Sequence, residues 1–154
     1  MTPDRLSREL VRETPLLRRG ESVGAAVEKI RGSGLPALPV VDEQEHLVGI
    51  FGEREFMAAL FPGYLNELRY AGFVPSTLDD AIEKRAACRV EPVGDHVNTE
   101  HIDVGNDFSD VQVAETFLHH DVLVVPVVDA GKVRGLITRA DFFRRLAESF
   151  LEHH

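Results

Sequence analysis

The spacing of apolar residues along the chain alternates between helix-like and strand-like in a fixed order, and that order occurs twice. In the first half, a helical period begins after Ser22, a residue type that often caps helices, and ends at Gly34. Its inward positions lie three or four residues apart: Val23, Ala26, Val27 and Ile30. The apolar run 35–41 predicts a buried strand, and 47–51 predicts its partner after a polar turn. Residues 53–60 predict a second helix, whose inward positions are Phe56, Met57 and Leu60.

The second half repeats this order, and a short strand precedes the first helix of each half. Residues 14–17 and 102–104 predict those short strands. The remaining elements of the second copy are a helix after Ser109 with Val113, Ala114 and Phe117 inward, a buried strand over 122–128, a turn at Ala130-Gly131, a strand over 133–137 and a closing helix over 139–150. Each copy is therefore strand–helix–strand–strand–helix. Neither has enough layers to cover both faces of its sheet, so we expect the copies to pack together with pseudo-two-fold symmetry.

The residues repeat as well as the pattern. The segment Leu38-Pro39-Val40-Val41-Asp42 returns as Val125-Pro126-Val127-Val128-Asp129. The positions that are identical in the two copies are Ser22/Ser109, Glu28/Glu115, Pro39/Pro126, Val40/Val127, Val41/Val128, Asp42/Asp129, Gly49/Gly135, Phe56/Phe142 and Leu60/Leu146. Chance accounts for one shared tetrapeptide but not for flanking matches in the same order, so the chain is a duplicated unit. The seam between the copies is the natural place for a ligand.

The predicted division of the chain is an N-terminal helix over 1–13, a first repeat over 14–60, a helical insert over 61–97, a second repeat over 98–150 and an expression-tag remnant over 151–154. Thr2-Pro3 suits the start of the N-terminal helix. In the insert, Ser76 and Asp79 have the spacing of a capping box before a helix over 76–87. An earlier short helix is indicated over 64–71.

Composition narrows the class of protein. The chain has 154 residues, 44% of them hydrophobic and 28% charged, which is typical of a soluble globular domain. Its net charge of −9 disfavours nucleic acid and anionic membranes as partners. No apolar run is long enough to span a bilayer, and the single Cys88 excludes an intrachain disulfide. These features predict a cytoplasmic protein with no nucleic-acid or membrane partner.

The repeated motif resembles that of a CBS domain pair, the Bateman module named after cystathionine β-synthase. The family fingerprint is h-P-V-V-D, a short turn, and G-h-h-[ST]-x-x-[DN] before an amphipathic helix. The second copy carries all of it, over 125–129 and 135–141. The first copy departs at the end, with Gly52 in place of the hydroxyl residue and Glu55 in place of the aspartate. The resemblance implies an α/β (α+β) fold of two tandem repeats, with the insert outside the fingerprint.

The resemblance also implies a regulatory ligand of the adenosine type: AMP, ADP, ATP or S-adenosylmethionine, with no cofactor required. Thr138 and Asp141 are the ribose candidates, because a carboxylate can accept hydrogen bonds from both ribose hydroxyls and a nearby hydroxyl can reach the sugar or first phosphate. Arg139, beside the sugar position, suits a phosphate. By the resemblance, the slot for the adenine is formed by Leu136, Leu35 and Pro36, with Thr14 and Pro15 at its entrance.

A weaker second site is implied at the equivalent place in the other repeat: Gly52, Glu55, Ile102, Val122 and Leu123. Because it lacks the hydroxyl, we expect one good site and one degraded site in each chain. A structural interpretation stays open for both sites. Thr138 suits the N-cap of the last helix, Asp141 suits its first turn, and the apolar residues suit a core.

Two hypotheses about function follow. The first is a stand-alone regulatory module that senses the adenosine-type ligand and acts on an unknown regulated protein. The alternative is a structural homodimerisation module with a vestigial pocket. An enzyme is not expected, because no activated nucleophile or acid–base pair stands out, and adjacent His119 and His120 lack the helical spacing of metal ligands. By the resemblance, we expect a homodimer formed through the last helix of each copy, which in the second carries Phe142, Phe143, Leu146 and Phe150.

Overall fold

A computed structural model describes residues 6–61 and 77–153. The first repeat contains β1 (Leu17–Arg18), α1 (Val23–Ser33), β2 (Ala37–Val41), β3 (Leu47–Gly52) and α2 (Glu53–Leu60). The second contains β4 (Val104–Gly105), α4 (Asp110–His119), β5 (Val124–Asp129), β6 (Lys132–Thr138) and α5 (Arg139–Glu152), with α3 (Leu78–Lys84) between the repeats. Short 3-10 helices lie at Leu6–Leu10, Ala86–Val90 and Val93–Asp95. The predicted order of elements in each repeat is confirmed.

The helix ends of the repeats lie where the capping residues predict. The Ser22 hydroxyl accepts a hydrogen bond from the Ala25 amide at 3.1 Å, and the Ser109 hydroxyl accepts one from the Gln112 amide at 3.1 Å. Gly34 ends α1 in the left-handed conformation, at φ 73°. The first helix of each repeat therefore begins with the same local chemistry, whereas α4 ends at an extended His120.

Strand boundaries differ from the apolar pattern by a few residues. β1 and β4 begin later than predicted, because only Leu17–Arg18 and Val104–Gly105 pair with a neighbouring strand. β2 begins at Ala37 rather than at residue 35, since Leu35 is buried but lies outside the ladder. β5 similarly begins at Val124. An apolar run in the sequence indicates which residues are buried. The buried segment extends beyond the residues that pair in the sheet.

The segments outside the repeats are less regular than predicted. The described part of the N-terminal segment is the 3-10 helix Leu6–Leu10, and Thr2-Pro3 lies outside the described residues. The cap of α3 is Thr77 rather than Ser76: the Thr77 hydroxyl accepts from the Asp80 amide at 3.1 Å. α3 ends at Lys84, so the helix is shorter than the predicted 76–87. The helix indicated over 64–71 also lies outside the described residues.

Each repeat forms a three-stranded sheet, in the orders β1-β2-β3 and β4-β5-β6. The segment in front of each repeat crosses to the last strand of the other. Arg12 and Leu136 exchange backbone hydrogen bonds of 2.8 and 3.0 Å, and Asn98 and Ile50 exchange bonds of the same lengths. These crossings pair each repeat with the other in a pseudo-symmetric way.

The glycine of the fingerprint makes each crossing feasible. A Cβ added at Gly135 would lie 2.6 Å from the Arg12 carbonyl oxygen. A Cβ at Gly49 would lie 2.5 Å from the Asn98 carbonyl oxygen. Both distances are too short for a carbon atom against backbone oxygen. The repeated glycine therefore serves close approach of the crossing segment.

The two repeats share a hydrophobic core. The cluster that holds Leu17, Val40 and Phe51 of the first repeat also holds Val124 and Leu136 of the second. Phe56 packs on this cluster as predicted, but Met57 is 52% exposed, because the next buried position of α2 is Ala59. The predicted packing of one copy against the other is thus confirmed, with one predicted inward residue turned to the surface.

Candidate ligand-binding site

The site is organised by the junction between β6 and α5. The Thr138 hydroxyl accepts a hydrogen bond from the Asp141 amide at 3.0 Å, and Thr138 is the N-cap of α5. Asp141 lies in the first turn, where its charge is favoured by the helix dipole. Thr138 and Asp141 therefore have the structural roles expected of them, as the N-cap and a first-turn residue of α5. They also place a carboxylate and a hydroxyl side by side at the end of a strand.

Asp141 is held by two arginines that come from different ends of the chain. Arg12 forms a bidentate pair with it: Nε lies 2.7 Å from Oδ2, and Nη2 lies 3.0 Å from Oδ1. Arg144, one turn further along α5, has Nη1 3.3 Å from Oδ1. The Asp141 side chain is only 9% exposed, whereas that of Arg12 is 48% exposed. Sequence reasoning missed both arginines.

Opposing effects set the ionisation of Asp141. Burial raises the pKa of its carboxyl, whereas side-chain hydrogen bonds with Arg12 and Thr138 lower it. The charges of Arg12 and Arg144 lower it further, and the net result is a pKa below the usual value. The carboxylate therefore stays ionised at neutral pH.

A cavity of about 600 Å³ opens beside this carboxylate. Its lining comes from both repeats and from the crossing segment: Arg12, Gly34, Pro36, Leu123, Thr138, Arg139, Ala140, Asp141, Phe143 and Arg144. The predicted residues Thr138, Asp141, Arg139 and Pro36 are thus brought together. Leu123, predicted for the weaker site, lines this cavity too.

The other predicted members of this site are placed differently. Leu136 and Leu35 are buried in the shared core and do not line the cavity. Thr14 and Pro15 also lie outside its lining, and the Thr14 hydroxyl donates to the Pro15 carbonyl at 2.9 Å. The crossing segment brings the side chain of Arg12, two residues before Thr14, to the cavity. Arg12 rather than Thr14 therefore lines it.

The equivalent place in the other repeat consists of a cleft of about 650 Å³ and a small space beside it. Glu55, Ile102, Val122 and Leu123 surround a space of about 30 Å³, roughly one water molecule. The Glu55 carboxylate accepts a hydrogen bond from the Gly52 amide at 2.9 Å, which is the half of a capping box that a glycine N-cap allows. The carboxylate is committed to its own helix.

The charges around this second place also differ. Asn98 makes the crossing that Arg12 makes in the other repeat, so an amide side chain replaces that guanidinium. Arg54 pairs with Asp121 at 2.7 Å. The cleft of about 650 Å³ is lined by Glu55 and Asn98, the counterparts of Asp141 and Arg12, together with Arg54, His96 and His120. The pseudo-symmetric sites are therefore similar in volume but unlike in charge.

Within 6–61 and 77–153, no group of three or more His, Cys, Asp or Glu is arranged to hold a metal ion. Over the same residues, no helix combines the length and apolar character that crossing a membrane requires.

The fold and cavity define a class of protein: a tandem α/β repeat with a cavity at the seam between its copies, one end of which is lined by charged and polar side chains. A sequence model of the CBS domain matches residues 8–62 and 97–148. The chain belongs to the CBS domain family.

Known relatives extend this result. "Uncharacterized protein MJ1404" of Methanocaldococcus jannaschii is 24% identical over 148 residues, or 96% of this chain. The chain spans 33% of the length of that relative.

Solved structures with the same fold cover most of the chain. A CBS domain protein from Streptococcus pneumoniae TIGR4 superposes with a TM-score of 0.66 at 19% identity, over 97% of this chain and 87% of that one. CBSX2 in complex with AMP gives 0.68 at 21% identity, over 96% and 99%. Protein MJ1225 from Methanocaldococcus jannaschii gives 0.72 at 20% identity, over 92% and 50%. At these identities the likeness establishes the fold alone.

Proposed function

We propose that the chain is a regulatory module that binds an adenosine-type ligand (AMP, ADP, ATP or S-adenosylmethionine) in the cavity beside Thr138 and Asp141. The observation that carries this proposal is the cavity of about 600 Å³, which joins an apolar wall to a nearly buried carboxylate. That volume lies within the range of small-molecule sites, roughly 300–1,000 Å³.

Each part of an adenosine ligand has a matching group in the cavity. The Asp141 carboxylate can accept hydrogen bonds from the two ribose hydroxyls. Pro36 and Leu123 occupy equivalent positions in the two repeats and offer apolar surface to a purine. The N-terminus of α5 and the guanidinium of Arg139 both favour a phosphate nearby.

Two structural neighbours support an adenine nucleotide as the ligand. CBSX2 was solved in complex with AMP. MJ1225 is described as a candidate archaeal homolog of g-AMPK. The same fold in those proteins makes the seam between repeats a reasonable place for such a ligand here.

A regulatory role follows from the way the cavity is built. Its lining combines the crossing segment, the end of α1 and the start of α5, so a ligand touches both repeats. A ligand that binds one arrangement of the repeats more tightly shifts the population toward it. An unknown regulated protein would respond to that shift.

The first prediction concerns thermal stability in the presence of nucleotide. At a ligand concentration about 100 times Kd, binding to the folded state alone adds about 2.7 kcal/mol. For a domain of this size that raises Tm by roughly 5–10 °C. We expect such a rise with at least one of AMP, ADP, ATP and S-adenosylmethionine, measured by differential scanning fluorimetry. Asp141→Ala is expected to abolish it.

Asp129→Ala is the matched control, because Asp129 also pairs with an arginine but lies in the β5–β6 hairpin, away from the cavity. It should retain the ligand-induced rise. Circular dichroism reports whether Asp141→Ala is folded, and Asp141→Asn replaces it if it is not. If none of the four ligands changes the melting of the unsubstituted chain, the structural alternative with a vestigial pocket is preferred.

We also propose that the chain forms a homodimer through α5. Three large side chains at helical spacing are exposed there: Phe143 by 68%, Leu146 by 52% and Phe150 by 76%. Such a row of exposed apolar side chains marks an association surface. We expect a mass of two chains by light scattering, and Phe150→Glu should shift it toward one chain. Val111→Glu is the control, since Val111 is 69% exposed but lies on α4. A single-chain mass for the unsubstituted protein would contradict this prediction.

A further inference from the structure

The cavity beside α5 is positively charged in a chain whose net charge is −9. The ionised residues of its lining are three arginines, Arg12, Arg139 and Arg144, and one carboxylate, Asp141. An excess of guanidinium groups around a cavity attracts anions and repels cations. The charge of the cavity therefore discriminates among the adenosine ligands, which range from cationic to strongly anionic.

The carboxylate expected to bind ribose is already engaged in the free chain. Arg12 Nε and Nη2 hold both of its oxygens, at 2.7 and 3.0 Å. Each carboxylate oxygen has two lone pairs, and Oδ1 already accepts hydrogen bonds from both Arg12 and Arg144. A ribose diol that takes both oxygens therefore has to displace a guanidinium. Binding of a ribose and retention of the bidentate pair compete for one group.

The displaced guanidinium needs a new anion. An arginine side chain stays protonated at all relevant pH values, so Arg12 cannot relieve its charge by losing a proton. A phosphate on the incoming ligand offers bidentate hydrogen bonds of the same kind as the carboxylate. Adenosine offers none, and S-adenosylmethionine, whose sulfonium and ammonium groups outweigh its one carboxylate, brings a net positive charge.

Arg12 is anchored so that only its side chain has to move. Its backbone is fixed to Leu136 by two hydrogen bonds, of 2.8 and 3.0 Å. Its side chain is 48% exposed and lines the cavity. The guanidinium can therefore turn from Asp141 to a ligand phosphate while the crossing stays paired.

We propose that Arg12 makes this site selective for phosphate-bearing adenosine ligands, by exchanging Asp141 for a ligand phosphate when the ribose binds. The proposal rests on the proposed function and narrows it: nucleotides such as AMP bind, whereas adenosine and S-adenosylmethionine bind weakly. Arg12 disfavours ligands that lack a phosphate, and it contacts the phosphate of the ligands that carry one.

The test is isothermal titration calorimetry of the full chain with AMP, adenosine and S-adenosylmethionine. We expect the unsubstituted chain to bind AMP at least about 10-fold more tightly than the other two, the effect of one good charge-assisted contact. Arg12→Gln should weaken AMP binding and strengthen adenosine binding, because it removes the phosphate contact and frees Asp141. Arg12→Lys should recover part of the AMP affinity.

Arg145→Gln is the matched control, since Arg145 lies on α5 near Asp141 but pairs with Glu9, away from the cavity. It should leave the affinities unchanged. A purely structural role for Arg12 would weaken AMP and adenosine alike, and that result overturns the proposal. So does equal binding of AMP and adenosine to the unsubstituted chain, which would leave the proposed function standing. Absence of binding by all three ligands, and by ADP and ATP, overturns both.

Discussion

Replacing Gly52 by threonine, which restores the hydroxyl residue of the family fingerprint to the first repeat, is expected to destabilise the chain rather than repair its second site. A Cβ at Gly52 would lie 2.3 Å from the Ala37 Cβ and 2.4 Å from the Pro36 carbonyl oxygen. Neither atom belongs to a flexible side chain, so the backbone of β2 would have to move. Overpacking of this kind costs about 3 kcal/mol.

Urea unfolding followed by circular dichroism measures the loss of Gly52→Thr as a lower midpoint. For a domain of this size the loss corresponds to a Tm lower by roughly 6–12 °C. Gly20→Thr is the matched control, because a Cβ at Gly20 meets nothing within 4 Å. A Gly52→Thr chain as stable as the unsubstituted one would show that β2 and the start of α2 have more room than the structure gives them.

Leu136→Ala is expected to lower the free energy of unfolding by about 2–5 kcal/mol. Leu136 is fully buried, and although it belongs to the second repeat it packs in the cluster built around the first. Its truncation would leave a cavity where the two repeats meet. We therefore expect one cooperative transition at lower urea concentration, with both repeats unfolding together.

Leu118→Ala provides the comparison, since Leu118 is 77% exposed on α4. It should change the midpoint little, because an exposed leucine buries no surface on folding and alanine suits a helix. Two separate transitions in Leu136→Ala, or a loss no larger than that of Leu118→Ala, would contradict the shared core.

Much of the fold could be predicted from the sequence, because the same pattern of residues occurs in both repeats. Ser22 and Ser109 locate the first helix of each repeat, and the recurring P-V-V-D segment locates the central strands. The crossings were not predicted. Arg12 and Asn98 lie outside the fingerprint, and their pairing with Leu136 and Ile50 joins residues that local patterns cannot relate.

Only part of the candidate site could be predicted from the sequence. Thr138 and Asp141 belong to the fingerprint, so their proximity follows from three-residue spacing at the start of a helix. Arg12 is 129 residues away from Asp141, and only the fold brings the two together. The crowding at Gly52 is equally invisible in the sequence, which shows a missing hydroxyl but not the absence of room for one. One signal existed for the arginines: Arg144 lies one turn after Asp141 on a predicted helix.

The reciprocal crossings have a consequence for the origin of the chain. A protein made of one repeat would expose an unpaired edge beside its last strand and a leading segment with no strand to join. A second copy would satisfy both, each lending its leading segment to the other, as in a domain-swapped pair. Fusion of two such copies in one polypeptide replaces a bimolecular encounter by an intramolecular one, at an effective concentration in the millimolar range. The two halves could then diverge, so that one crossing came to carry Arg12 and the other Asn98.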